Sequence, residues 1–161
     1  MGGKYGRFGK RRKGGYIKMN NELMFSSATE EWYTPIDFYN TLNNEFNFNL
    51  DPCATTLNHK CPKYFTKEDN GLLQSWEGHN VFCNPPYGRH IGAWVEKAFN
   101  ESKKENTTVV MLIPARTDTR WFHDFIYHKA EIRFIKGRLK FGGCKNAAPF
   151  PSMVVIFKGD I

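Results

Sequence analysis

A chain of 161 residues, 40% of them apolar and 16% aromatic, is sized for one domain around a single core. It has no run of about 18 apolar residues to span a membrane, and its basic, glycine-rich N-terminus lacks the apolar stretch of a secretory signal, so a soluble intracellular protein is expected. The net charge of +7 sits in one place: residues 1–19 carry Lys4, Arg7, Lys10, Arg11, Arg12, Lys13 and Lys18 and no acid, and removing these seven from 23 leaves 16 basic against 16 acidic residues.

Residues 1–24 hold six glycines and little to bury, and such a segment is expected to be disordered alone. Its cations suit nucleic-acid phosphates, and Tyr5, Phe8 and Tyr16 can stack on unpaired bases. A solubilising tail, or a leader ahead of a start at Met19 or Met24, is the plainer alternative. One catalytic domain is expected over residues 25–161. Thr34-Pro35 reads as a helix start, with Thr34 as N-cap and Pro35 in the first turn. Ile36, Phe38, Tyr39, Leu42 and Phe46 supply the apolar face that follows.

Phe46 to Leu50 alternates as a strand ending at Asp51-Pro52, and Val81-Phe82-Cys83 reads as a short buried strand before Asn84. Ile91 to Lys104 has helical spacing, with Ile91, Trp94, Val95, Ala98 and Phe99 on one face. Thr107 to Ile113, ended by Pro114, is the most apolar run and so the central strand. Trp121 to His128 reads as a helix, and Glu131 to Ile135, Arg138 to Phe141 and Met153 to Phe157 read as strands. The pattern predicts an α/β fold whose sheet is mostly parallel, with an antiparallel hairpin near the C-terminus. Cys53, Cys61, Cys83 and Cys144 are expected as reduced thiols. Cys53, His59, Cys61 and Cys83 offer zinc-type ligands, but no C-x2-C pair is present and no metal is expected.

Asn84-Pro85-Pro86-Tyr87-Gly88 follows a buried strand directly. N-P-P-Y arises by chance about once in two thousand chains of this length, and it stands where open α/β sheets bind ligands. Two prolines fix the backbone and remove two N–H donors, so the loop presents acceptors. The Asn84 side-chain oxygen and the Pro85 carbonyl can then take both hydrogens of one exocyclic NH2. That draws the nitrogen lone pair out of ring conjugation and makes it a nucleophile toward a sulfonium methyl. Tyr87 offers a flat face to a base.

These residues resemble the catalytic signature of amino-methyltransferases acting on DNA adenine. The wider set resembles the compact DNA N-6-adenine methyltransferases of bacteriophages. It comprises Glu31-Trp32-Tyr33-Thr34-Pro35, Leu50-Asp51-Pro52-Cys53-Ala54, Asn84 to Gly88, Pro114 to Thr119, Gly137-Arg138-Leu139 and Pro149-Phe150-Pro151-Ser152. These blocks run in order from about residue 30 to residue 158, with a specificity that lies in their spacing.

The resemblance implies a Rossmann-like fold that uses S-adenosylmethionine as cofactor, and catalysis by Asn84, Pro85, Pro86 and Tyr87. It implies cofactor contacts from Trp32, Thr34 and Pro35, whose helix start suits the methionine carboxylate, and from Asp51, Pro52, Cys53 and Ala54. Asp51 would pair with the methionine ammonium. The glycines usual in this last loop are missing. Glu68 or Asp69 would supply an acid near the adenosine. Arg116, Asp118, Arg120, Phe150 and Tyr87 are the candidate DNA contacts.

The partner implied is duplex DNA with the adenine flipped out, with neither membrane nor protein partner. The setting implied is a bacterial cytoplasm reached by phage or prophage, where protection from restriction is one purpose. No room remains for a separate recognition domain, so loops around Thr117–Arg120 and Gly142–Phe150, with Lys145, must set a short or relaxed specificity.

Quieter explanations accompany several of these residues. Asp51 can cap a turn, Trp32 can be core, Arg116 and Asp118 can form a surface ion pair, and Phe141 reads as core before base clamp. N-P-P-Y also serves methyltransferases of RNA bases and of protein glutamine. A non-catalytic nucleic-acid-binding module of the same fold is the remaining alternative.

Overall fold

The computed structural model describes residues 32–159; the basic segment expected to act as a nucleic-acid arm lies outside them. Six strands form one sheet in the order β2-β1-β3-β4-β6-β5. They are β1 (Leu50–Asp51), β2 (Lys63–Tyr64), β3 (Asn80–Cys83), β4 (Thr108–Pro114), β5 (Glu131–Phe134) and β6 (Ser152–Lys158). The first four pair in parallel, while β6 runs antiparallel to both β4 and β5. β5 thus points the same way as β4, and residues 135–151 join it to its antiparallel partner β6. The mixed α/β architecture, mostly parallel with antiparallel pairing at the C-terminal strands, follows the sequence pattern.

β4 is apolar throughout because both of its faces are covered. Val109, Met111 and Ile113 face one way, against Trp94, Val95 and Ala98 of helix α2 (Ile91–Glu101) and against Phe122 and Ile126. Val110 and Leu112 face the other way, against Tyr39, Leu42 and Phe46 of helix α1 (Ile36–Phe46) and against Phe82 and Phe141. The period of two in the strand thus sorts residues into two cores, one on each side of the sheet. No helix among the described residues is long and apolar enough to cross a membrane.

Several local expectations are corrected. Pro35 occupies the cap position, α1 begins at Ile36, and the Thr34 side chain caps nothing there. Ile36 is 58% exposed and does not belong to the buried face. Phe46 to Asn49 is not strand: Asn47 takes a left-handed conformation (φ 51°) and donates its N–H to the Asn43 carbonyl, ending the helix. Asparagine tolerates that conformation, so the alternating F-N-F-N pattern hid a helix end. Trp121 to His128 holds one π-helical turn, Phe122–Ile126, closed by the Tyr127 N–H on the Phe122 carbonyl at 2.8 Å. α2 stops at Glu101, short of Lys104.

Arg138 to Phe141 joins no ladder. Gly137 and Gly143 turn the chain with φ of 77° and 83°, and Phe141 enters the core between them. The next residue, Gly142, forms an isolated bridge with Tyr33 and donates its N–H to the Tyr33 carbonyl at 2.8 Å.

Candidate active site

The carboxyl ends of β1, β3 and β4 lie on one edge of the sheet, where open α/β sheets place ligands. A cleft opens there, lined by Trp32, Tyr33, Thr34, Asp51, Cys53, Thr55, Asn58, Lys60, Phe82, Asn84 and Pro85. Three separate stretches of chain, 32–34, 51–60 and 82–85, therefore converge on one space.

Asn84 leaves the end of β3, and its amide is held by the segment ahead of α1. Its Nδ2 donates to the Trp32 carbonyl at 2.8 Å and to Thr34 Oγ1 at 3.0 Å. A carbonyl only accepts, so the amide nitrogen must face it, and Oδ1 is turned the other way. That oxygen is buried and has no hydrogen-bond partner. An acceptor left so costs about 1–3 kcal/mol, which marks it as a place kept for a donor. The hydroxyl of Thr34 therefore helps to aim Asn84, as an acceptor.

Pro85 is buried and borders the same cleft. Tyr87 is anchored away from it: its hydroxyl donates to the Leu112 carbonyl at 3.0 Å, and burial pushes the phenol well above its ordinary value, with the Cys83 and Cys53 thiols acting in the same direction. Its ring lies beside Trp32, with centroids 6.4 Å apart and planes 25° off parallel, and meets Phe150 edge-on at 5.5 Å. Trp32 also packs on Phe141 at 5.3 Å and on Phe150 at 5.0 Å. Phe141 is core, 1% exposed, and Phe150 is half-buried.

The loop after β1 is organised by a buried carboxylate where glycines were missed. Asp51 Oδ1 accepts the Cys53 N–H at 3.2 Å and Oδ2 accepts the Lys60 N–H at 2.9 Å. Burial raises the Asp51 carboxyl above its usual range, and these two backbone donors pull against that shift. Ala54 donates its N–H to the Phe65 carbonyl at 3.0 Å. Pro52 is buried against Gly71, where an added Cβ would fall 2.3 Å from the Pro52 carbonyl oxygen. The glycine that permits a close approach thus stands across from the loop and outside it.

Other expected residues stand elsewhere. Asp69 is exposed and absent from the cleft lining; its Oδ2 accepts the Thr66 N–H at 2.8 Å and the Thr66 hydroxyl at 3.0 Å. Those bonds hold its carboxyl below the usual range. Glu68 is exposed as well. Pro35 and Pro86 do not line the cleft. Arg116 and Asp118 are exposed, with no ion pair between them, and Arg120 pairs with Asp124 at 3.0 Å. The loop they occupy is tied to the far end of the β5–β6 connection by the Ala115 N–H on the Pro151 carbonyl, 2.9 Å.

Among the described residues no three potential metal ligands converge. Cys53 and Cys83 place their sulfurs 3.6 Å apart, whereas Cys61 turns to Tyr39. The sequence reading missed Lys60, Thr55 and Asn58, which reach the cleft from a polar loop without a local signal. It also missed the Leu112 carbonyl, a backbone group that no side-chain pattern announces.

Comparison with known proteins fits this geometry. A family model described as DNA N-6-adenine-methyltransferase (Dam) matches residues 23–159. A DNA N-6-adenine-methyltransferase of Haemophilus phage HP1 is 33% identical over 140 residues, covering 82% of this chain and 80% of that one. Another, of Escherichia phage T1, is 35% identical over 111 residues, covering 67% of this chain and 45% of its own. The chain belongs to the DNA N-6-adenine-methyltransferase (Dam) family.

Proposed function

We propose that the cleft beside Asn84 receives an adenine flipped out of duplex DNA and methylates its 6-amino group, with S-adenosylmethionine as donor. The chain is an adenine-specific DNA methyltransferase by family; the donor, the flipped base and the residue roles are the proposal. The observation that carries it is the buried, unpartnered Asn84 Oδ1. An amine N–H satisfies that oxygen, and the Pro85 carbonyl is the natural acceptor for the second hydrogen. Drawing both hydrogens toward acceptors localises the nitrogen lone pair for in-line attack. Trp32 and Thr34 hold the amide so that its oxygen, and not its nitrogen, meets the base.

The residues present suit the donor. S-adenosylmethionine supplies a sulfonium methyl and leaves as a neutral thioether, so no strong base is needed to drive the transfer. Among the described residues Asp51 is the one carboxylate lining the cleft, and an ammonium beside it stabilises the charge that burial penalises. The placement at the carboxyl ends of parallel strands supports a Rossmann-like methyltransferase fold.

The DNA is held by the two loops over the same edge. The β5–β6 connection carries Lys136, Arg138, Lys140 and Lys145, all exposed, and no acid. Its Phe150 and Phe141 pack beneath on Trp32 and Tyr87. Relatives from two phages support a bacterial host as the setting.

The test is transfer of tritium from labelled S-adenosylmethionine to unmethylated DNA, to RNA and to protein in parallel, with nucleoside digestion of the product. Label in N6-methyladenine from DNA supports the assignment. Label confined to RNA or protein, or no label at all, overturns it.

A further inference from the structure

A cationic residue also lines the cleft. Lys60 lines the cleft together with Asp51, and its backbone is clamped on both sides. Its N–H is held by Asp51 Oδ2 at 2.9 Å, and its carbonyl accepts the Tyr39 hydroxyl at 3.0 Å. The ammonium lies 5.9 Å from the centre of the Tyr39 ring, and no carboxylate among the described residues stands within ion-pair distance of it. Partial burial lowers its pKa, and Asp51 opposes that shift. A half-buried cation on a residue that lines a ligand cleft, with no ion-pair partner among the described residues, is poised for an anion that arrives with the ligand.

The segment where a carboxylate was expected is a poorer place for one. The Thr34 hydroxyl accepts from Asn84 Nδ2 and leaves at most its single O–H to offer. The first turn of α1 carries Asp37, which complements the helix N-terminus and repels a second carboxylate. Neither Pro35 nor Ile36 lines the cleft. Among the described residues that line the cleft, Asp51 is the one anion and Lys60 the one cation.

Resting on the donor assigned above, we infer that Lys60 binds the carboxylate of the donor's amino-acid group, opposite the ammonium at Asp51. The pair reads a zwitterion end to end, so Lys60 is a specificity residue for ligands that carry the intact amino acid.

The test measures binding, by calorimetry on the full chain, of two thioethers sharing the adenosine group. S-adenosylhomocysteine carries the amino acid, and 5′-methylthioadenosine lacks it. For Lys60→Gln the expected result is an affinity for S-adenosylhomocysteine lower by about ten- to a hundredfold, as for a lost charge-assisted hydrogen bond. Affinity for 5′-methylthioadenosine should stay within about twofold, and Lys60→Arg should recover most of the loss. Equal losses for both ligands, or no loss for either, overturn the role of Lys60 while leaving the donor in place. Wild-type protein that binds neither ligand overturns the donor assignment and this inference together.

Discussion

Replacing Asn84 by alanine should separate stability from activity, because its amide both gives and withholds. The substitution removes two hydrogen bonds, to the Trp32 carbonyl and Thr34 Oγ1, worth together about 1–3 kcal/mol. It also removes the buried oxygen that has no partner, relieving a cost of about 1–3 kcal/mol. The two changes oppose each other, so stability should move by no more than about 1 kcal/mol. Activity should fall by about 10²–10³-fold, the loss seen when a preorganised polar group is taken from a reacting centre.

Asn84→Asp provides the contrast. Its carboxylate has no donor for the Trp32 carbonyl and adds a charge, so it should lose stability as well as activity. Urea unfolding and tritium transfer to DNA on the same preparations read both quantities. A loss above about 3 kcal/mol in Asn84→Ala would make the residue a structural tie. Activity within fivefold of wild type would remove it from the chemistry. Either result refutes the argument.

Further outcomes follow from other parts of the molecule. Glu101 is buried and accepts from Trp76 N–H at 2.8 Å, Lys97 at 2.7 Å and Lys104 at 2.9 Å. Burial raises its pKa, but these donors outweigh it and hold the carboxyl below its usual value. Its stabilisation is therefore complete above the unfolded value and lost as pH falls through the lower folded one. Glu101→Gln should cost about 2 kcal/mol at neutral pH, less than a fully buried pair because both lysines reach water. That gap should close in urea titrations below about pH 4.

Gly71→Ala drives a Cβ to 2.3 Å from the Pro52 carbonyl oxygen. It should lower stability by about 1–3 kcal/mol and weaken S-adenosylhomocysteine binding through the Asp51 loop, as calorimetry would show. Replacing Lys136, Arg138, Lys140 and Lys145 by glutamine should flatten the dependence of log affinity for duplex DNA on log salt by about 3–4 units, if each meets one phosphate. Binding of S-adenosylhomocysteine should not change. An unaltered salt slope would remove the connection from the DNA contact surface.

What was legible in the sequence was whatever depends on neighbours along the chain. β4 announced itself because a strand covered on both faces needs unbroken apolar residues. Asn84 to Tyr87 announced itself because prolines act on their own backbone. Thr34 and Lys60 were misread or missed because what matters about each is a partner far away: Asn84 lies 50 residues from Thr34, and Lys60 belongs to the cleft through the Asp51 carboxylate. Local pattern misled where one residue type serves two geometries. Asn47 turned an alternating run into a helix end, and paired glycines turned Arg138 to Phe141 from strand into loop. The loop after β1 looked deficient because its glycine was sought within it, while Gly71 supplies the close approach from across the contact.

The tie between Asn84 and the segment ahead of α1 has a bearing on synthesis at the ribosome. Trp32 and Thr34 leave the exit tunnel well before the amide they orient, and the bridge from Tyr33 to Gly142 waits longer still. The aromatic floor under Tyr87 is finished only when Phe150 docks. A prematurely ended chain therefore carries the N-P-P-Y loop and the two groups that hold Asn84, but lacks the bridge to Gly142 and the Phe150 contact that complete the aromatic floor.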